Sequence, residues 1–396
     1  MKFLVAVVGF LFIFVVLLDA FEVIVLPRRV TRKLRLTVLF YTMTWRPWAA
    51  VARRIGKSKK REAYLSFYGP LSLIVLLIVW AAGLILGFAF LHWSLGSEIN
   101  VADLPNTGFT TDLYLSGTTF FTLGLGDVLP VTRLARLLTV MEAGIGFGFL
   151  AIIIGYLPVI YQAFSRREVN ISLLDARAGT PSTAAELLRR HGRDGNMDAL
   201  NQLLQDWERW SSDLMESHLS YPVLSYYRSQ HDNQSWLAAL ATILDTCALV
   251  IVGVDGAPAW QAQLTFAMAR HAVVDIAQIF NVSPKLQEYE RLTSRQLASL
   301  RVVLASSGVP LRDGDDADQK LNELRRMYEP YIKSLADTML MPLPPWIVEK
   351  DVVDNWQTSA WERNPAVLAT KFNRACQKGK AESVGMKDES VAIRAE

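Results

Sequence analysis

Apolar residues gather into three long runs within the first 165 positions, and after that they recur only at helical spacing. The first run, Phe3 to about Leu26, carries no charge before Asp19. It has the length of about 20 residues that an apolar helix needs to cross a hydrocarbon core. One Lys precedes it and no small-x-small site follows, so it reads as a signal-anchor helix rather than a cleavable leader. Asp19 and Glu22 share a helix face near its end, where pairing with basic residues of the next loop or contact with other helices is expected. The second run, Phe67 to about Trp93, contains no Lys, Arg, Asp or Glu, and the third extends from about Leu134 to Phe164. Between the first two, Leu34 to Ile55 interleaves Leu, Phe40, Tyr41, Trp45 and Trp48 with Arg46 and Arg53, which predicts an amphipathic helix in the headgroup layer. Between the second and third, Thr111 to Phe121 is helical but too short to cross, with Thr111 or Asp112 able to cap its start.

From Arg166 onward the spacing of three and four predicts helices over Met197–Leu219, Gln234–Val252, Ala259–Phe280, Ser294–Ser306 and Asp316–Leu340. Pro222, Gly253 to Pro258, Pro284 and Gly308 to Pro310 separate them, and Pro342 to Pro345 ends the last. Thr183 and Glu186 match a capping box after Pro181. Alternation of the strand type is scarce.

Charge divides the chain in the same place. Up to Ser165 there are 15 Lys and Arg against 8 Asp and Glu; from Arg166 there are 26 against 30. Twelve of the basic residues lie between Pro27 and Glu62 with no acid among them, which marks a cytoplasmic linker and offers attraction to anionic lipid. Nucleic-acid binding is not needed to account for it. From Ser94 to Thr132 there is no Lys or Arg, while Glu98, Asp103, Asp112 and Asp127 are present, so that loop is expected outside. The N-terminus is then outside and the C-terminus cytoplasmic, in a cell membrane, with the compact architecture suggesting a prokaryotic one.

The chemistry lies in Thr119 to Asp127, Thr-Phe-Phe-Thr-Leu-Gly-Leu-Gly-Asp. Irregular backbone at membrane depth survives only where it lines water or is buried in protein. A row of carbonyls along such a path replaces the water shell of a small cation. Gly124 and Gly126 take positive φ at no steric cost, which lets successive carbonyls face one way. The segment resembles the pore loop of the potassium channel superfamily, T-x-x-T-x-G-x-G-D. The resemblance covers about Leu65 to Phe164 and implies two transmembrane helices with a re-entrant pore helix and selectivity filter between them; with the first apolar run and the helical spacing after Arg166, the expected fold is an all-α membrane protein of three transmembrane helices followed by an all-α cytosolic bundle. It implies K+ at the carbonyls of Thr122, Leu123, Gly124 and Leu125 with the Thr122 hydroxyl, and filter support from Thr119, Asp127 and Tyr114. Gly126 completes the filter, and Leu115 and Leu125 stand where the family often has Trp and Tyr. It further implies a hinge at Gly146, twenty residues past Gly126, near which Gly144 and Gly148 also offer small-residue packing. Pro158 is expected to kink the inner helix. Arg136 falls where the family often starts that helix with arginine. Glu142 is expected to hold a buried partner or a filter-side hydrogen bond.

One loop supplies a quarter of a closed ring, so a homotetramer is expected. The domain reading is a transmembrane helix at 1–27, a basic linker at 28–62, the pore domain at 63–165, a cytosolic helical domain at 166–376 and a disordered tail at 377–396. No span carries arginine at every third position, and no Gly-x-Gly-x-x-Gly, calcium loop or zinc spacing is present, so the cytosolic regulator has no legible identity and no cofactor besides permeant K+ is expected. His218, His231 and His271 with Asp245 and Asp275 fit no ligand template and read as structural, and Trp207, Trp210, Tyr226, Tyr227 and Trp236 read as core. Cys247 and Cys376 read as unpaired thiols. The expected activity is passive potassium conduction, not enzymatic. A weakly selective cation channel and a membrane-anchored adaptor with a silent pore are the alternatives.

Overall fold

A computed structural model describes residues 2–26, 35–56, 59–95, 99–101, 108–193, 197–231, 233–285 and 290–348. Several sequence expectations lie outside them: Arg28 to Lys33 and Lys57 of the basic linker, Glu98 and Asp103 of the outer loop, Cys376, and the tail from residue 377. The rest is helical apart from one short strand pair, and it divides into two compact units.

The first unit takes residues Met1–Arg166 and Glu216–Arg228. α1 (Lys2–Ala20) closes in one π-helical turn, Phe21–Val25, and is followed by α2 (Leu36–Ile55), α3 (Lys59–Ser66) and α4 (Tyr68–Leu95). After them come α5 (Phe109–Phe120) and α6 (Arg133–Ala178). Three stretches are long and apolar enough to cross a membrane here: Lys2–Val25, Lys59–Leu95 and Arg133–Ala178. α1 and α4 touch backbone to backbone. A Cβ on Gly9 would stand 2.7 Å from the Gly87 carbonyl oxygen, and one on Gly87 2.7 Å from Ile13 Cγ1. Where lipid removes the hydrophobic drive between helices, such small-residue contact is what packs them. Ile13, Val16, Trp80, Leu84, Phe88, Phe120 and Phe149 fill the core around that seam.

The two acids at the end of the first span have separate partners. Glu22 pairs with Arg35 at 3.3 Å. Asp19 is fully buried, accepting from Trp80 Nε1 at 3.0 Å and from the Thr37 backbone N–H at 3.1 Å. Its carboxylate thus caps α2, whose own preceding residue Arg35 supplies no side-chain cap.

Glu216–Arg228, distant in sequence, completes this unit. Pro222–Tyr226 is a 3₁₀ turn, and the Tyr226 ring lies 5.5, 5.0 and 5.1 Å from those of Tyr41, Trp45 and Tyr68. Val223 and Leu224 pack with Leu73, Tyr156, Ile160 and Ala163.

The second unit takes Arg167–Met215 and Ser229–Glu396. It contains α7 (Ala184–Arg193), most of α8 (Met197–Ser220), α9 (Trp236–Gly253), α10 (Ala259–Ile279), α11 (Ser294–Ala305), α12 (Asp315–Arg326) and α13 (Glu329–Met339). α9 is apolar enough to cross a membrane, yet 83% of its apolar window is buried among α7, α10, α12 and α13, so protein rather than lipid covers it. Trp207, Trp210 and Trp236 are buried here as core.

Two expectations are corrected in this unit. The helix expected over Asp316–Leu340 breaks at Met327 and Tyr328, because Pro330 lacks an N–H and opens α13. The Thr183 box is half formed: Thr183 Oγ1 accepts from the Glu186 N–H at 3.3 Å, but the Glu186 carboxylate turns to Arg189 and Arg190, each at 2.6 Å. The complete box is Thr293 with Gln296, at the start of α11. At the centre, Arg291 holds Asp245 through both oxygens, at 3.2 and 2.7 Å, while Tyr328 Oη donates to Asp245 at 2.6 Å.

Candidate functional site

α5 enters the first unit from Gly108, which precedes its first turn with no side-chain cap. Thr111 and Asp112 therefore lie inside the helix rather than capping it; Phe109 and Thr110 extend the helix past both. The chain leaves the helix at Phe120 through two backbone bonds, Thr122 N–H to the Thr119 carbonyl at 3.0 Å and Leu123 N–H to the Thr118 carbonyl at 2.8 Å.

Past that exit the backbone alternates in hand. Thr122, Gly124 and Gly126 have φ of 57, 54 and 80°, and Leu123 and Leu125 between them are not in the positive region. Alternation of this kind turns consecutive carbonyls to one side of the chain. Two of the three positions are glycine, for which the conformation is cheap. The third is Thr122, a β-branched residue for which it costs on the order of 1–3 kcal/mol, and such strain collects at functional sites. Residues 121–127 are all exposed within the single chain; Leu123 retains 61% and Leu125 64% of its surface.

Both flanks of this segment are tied down. Tyr114 Oη, on α5, donates to Asp127 Oδ2 at 2.8 Å, bridging the segment from its helix to its far end. Val128–Pro130 then pairs antiparallel with Ile99–Val101, Asn100 opposite Leu129. Arg136 Nε donates to the Pro130 carbonyl at 3.1 Å.

α6 packs directly on the end of α5. A Cβ on Gly146 would lie 2.2 Å from the Phe120 carbonyl oxygen, whereas Gly144 and Gly148 meet nothing within 4 Å. The close approach therefore runs through Gly146, not through the Gly144–Gly148 spacing. The Phe120 and Phe149 rings, 5.8 Å apart, fill the space beside it. Pro158 lies inside α6, which continues through it to Ala178.

The buried faces of α4, α5 and α6 meet at a polar cluster. Glu142 Oε1 is hydrogen-bonded to Ser116 Oγ, and Glu142 Oε2 lies 3.3 Å from His92 Nε2. Ser116 Oγ also lies 2.8 Å from the Ile85 carbonyl oxygen. His92 and Glu142 side chains are both fully buried. A buried partner for Glu142 is expected from the sequence, but His92 and Ser116 are not identifiable there, because they stand on other helices and no local spacing links them.

The histidine and aspartate set is divided between the two units: His218 belongs to the first, while in the second Asp245 belongs to Arg291 and His271 makes a surface pair with Asp275 at 3.7 Å. Among the described residues no group of three or more His, Cys, Asp or Glu is placed to hold a metal ion.

Comparison with known proteins bears on the first unit most directly. Residues 74–162, which hold α5, the alternating segment and both flanking helices, match the family model described as an ion channel. A Bacillus subtilis (strain 168) protein named "Uncharacterized membrane protein YdjJ" is 22% identical over 191 residues, covering 48% of this chain and 55% of that protein. The chain thus spans about half the length of that relative. No solved structure matches.

Proposed function

We propose, from the two-helix channel-type pore domain at residues 74–162, that this protein conducts potassium ions passively through a filter made by four copies of Thr122 to Gly126. The observation that carries the reading is the alternating hand at Thr122, Gly124 and Gly126 directly after a short helix that lies between two apolar stretches long enough to cross a membrane. Carbonyls aligned by that alternation, with the Thr122 hydroxyl, replace the hydration shell of a dehydrated K+. The C-terminal end of α5 adds a partial negative charge close to the ion path.

Oligomerisation is supported by what the single chain leaves uncovered. On α6 the residues Leu137, Val140, Gly144, Phe147, Ala151, Ile154, Pro158 and Tyr161 alternate at three and four, and all are exposed. Val140, Phe147, Ile154 and Tyr161 retain about 70% of their surface, at 70, 69, 72 and 69%. A seam of period 3.5 is what a helix offers to copies of itself around an axis. The homotetramer lies in a cell membrane with its N-terminus outside, and the second unit carries the regulatory input.

The test is potassium flux into liposomes from purified protein beside Gly126→Asp. A side chain at φ 80° is strained, and the carboxylate puts a charge on the ion path. Flux is expected to fall at least tenfold in the variant while it inserts and assembles as before. Equal flux in both would reject a carbonyl filter at these residues.

A further inference from the structure

The contacts of Ser116 constrain a proton count. Its one hydroxyl proton faces two acceptors, the Ile85 carbonyl oxygen at 2.8 Å and Glu142 Oε1. If Glu142 were ionised, that one proton would have to be shared between the two oxygens, weakening both contacts. A proton on Glu142 Oε1 resolves the conflict: the acid donates to Ser116 Oγ, and Ser116 donates to Ile85. At the other end His92 Nε2–H donates to Glu142 Oε2, at 3.3 Å. No member of this hydrogen-bond chain then carries charge, as full burial favours.

The titratable groups facing this carboxyl are few. α4 contributes His92, and α5 contributes Asp112, which is itself buried. On α6 the nearest charge toward the N-terminus, Arg136, is engaged with Pro130. On α1, which packs on α4, Asp19 is engaged with Thr37 and Trp80.

We infer that Glu142 is a positioning residue for the filter: as the neutral acid it closes a hydrogen-bond chain from His92 through Ser116 to Ile85 and holds α5 between α4 and α6. Ser116 stands one helical turn before Phe120, where the chain leaves α5 for the filter, so the clamp grips the helix that aims the filter. The inference rests on the potassium-filter reading above. It adds a residue to that reading which touches no ion.

The test compares the unaltered protein with Glu142→Gln, Glu142→Leu and Ser116→Ala, reconstituted in lipid. Glutamine keeps a neutral donor and acceptor in the same shape, whereas leucine keeps only volume. The infrared spectrum at neutral pH is expected to show a protonated-carboxyl C=O band that Glu142→Gln removes. Potassium-over-sodium permeability is expected to be unchanged in Glu142→Gln, to fall about tenfold in Glu142→Leu, and to fall less in Ser116→Ala. A selective unaltered channel that lacks the band overturns the inference. So does a Glu142→Gln channel as unselective as Glu142→Leu, or a Glu142→Leu channel as selective as the unaltered one. Absence of potassium flux from the unaltered protein rejects the filter reading itself, and the positioning role with it.

Discussion

Gly146 separates two roles that its sequence position leaves equal. Glycine in the middle of an inner helix serves either to bend it or to let another chain segment come close. The Phe120 carbonyl, 2.2 Å from where a Cβ would sit, is that close segment. Any bend at Gly146 therefore also moves the exit of α5, so α6 and the segment that begins at Thr122 share one contact. Gly146→Ala has no flexible neighbour to displace, since the atoms it meets are backbone. Overpacking of this kind costs about 1–3 kcal/mol. We expect flux per assembled protein to fall several-fold in Gly146→Ala, and Gly148→Ala, which meets open space and lies outside the exposed seam, to leave it unchanged. Equal behaviour of the two variants in the same liposome assay would remove the contact from the account. At this scale Gly124 and Gly126 were legible, because positive φ has one cheap residue; the positive φ of Thr122 was not, because no local rule predicts a strained threonine.

The elements of the second unit were legible where caps and periodicity agreed. α8, α9, α10 and α11 lie within a residue or two of where spacing puts them. The break between α12 and α13 was carried by Pro330 and was overridden by a continuous apolar pattern on both sides. Two contacts had no local signal at all: Asp19 reaching the start of α2, and Tyr226 among Tyr41, Trp45 and Tyr68, both of which join segments far apart in sequence. Tyr226→Ala deletes a buried ring from that cluster, and large core truncations of aromatics cost about 3–5 kcal/mol. Its melting midpoint in detergent is expected to drop by several degrees, while Tyr226→Phe, which keeps the ring contacts, stays close to the unaltered protein.

Glu186 on α7 gives the second unit a pH-dependent term. Burial pushes its carboxyl up, but Arg189 and Arg190 more than reverse this and hold it below its ordinary 4.5. A depressed acid contributes stability above its unfolded value and loses it as the pH falls through the folded one. The pairs are partly exposed, so the contribution is about 0.3–0.5 kcal/mol for each. Urea midpoints measured from pH 7 downward are expected to fall more steeply below 4.5 for the unaltered protein than for Glu186→Gln. Parallel curves would show that the pairs contribute nothing.

For the molecule as a whole, the division of the chain near residue 166 follows from charge and hydropathy. Two features of the molecule escape that division. Glu216–Arg228 follows the second unit's helices in sequence and packs within the first unit, and no composition shift marks it. α9 has the hydropathy of a span and the burial of a core helix, a distinction only its neighbours make. The ion-channel match at 74–162 and the alternating backbone between α5 and α6 meet in the same stretch of chain, and the functional account stands on that coincidence.

The most direct measurement is the reversal potential of single channels in a planar bilayer with potassium on one side and sodium on the other. A filter that substitutes carbonyl oxygens for the water around K+ predicts a potential that follows the potassium gradient at about 59 mV per tenfold change. A reversal potential that stays at zero when sodium replaces potassium would contradict it.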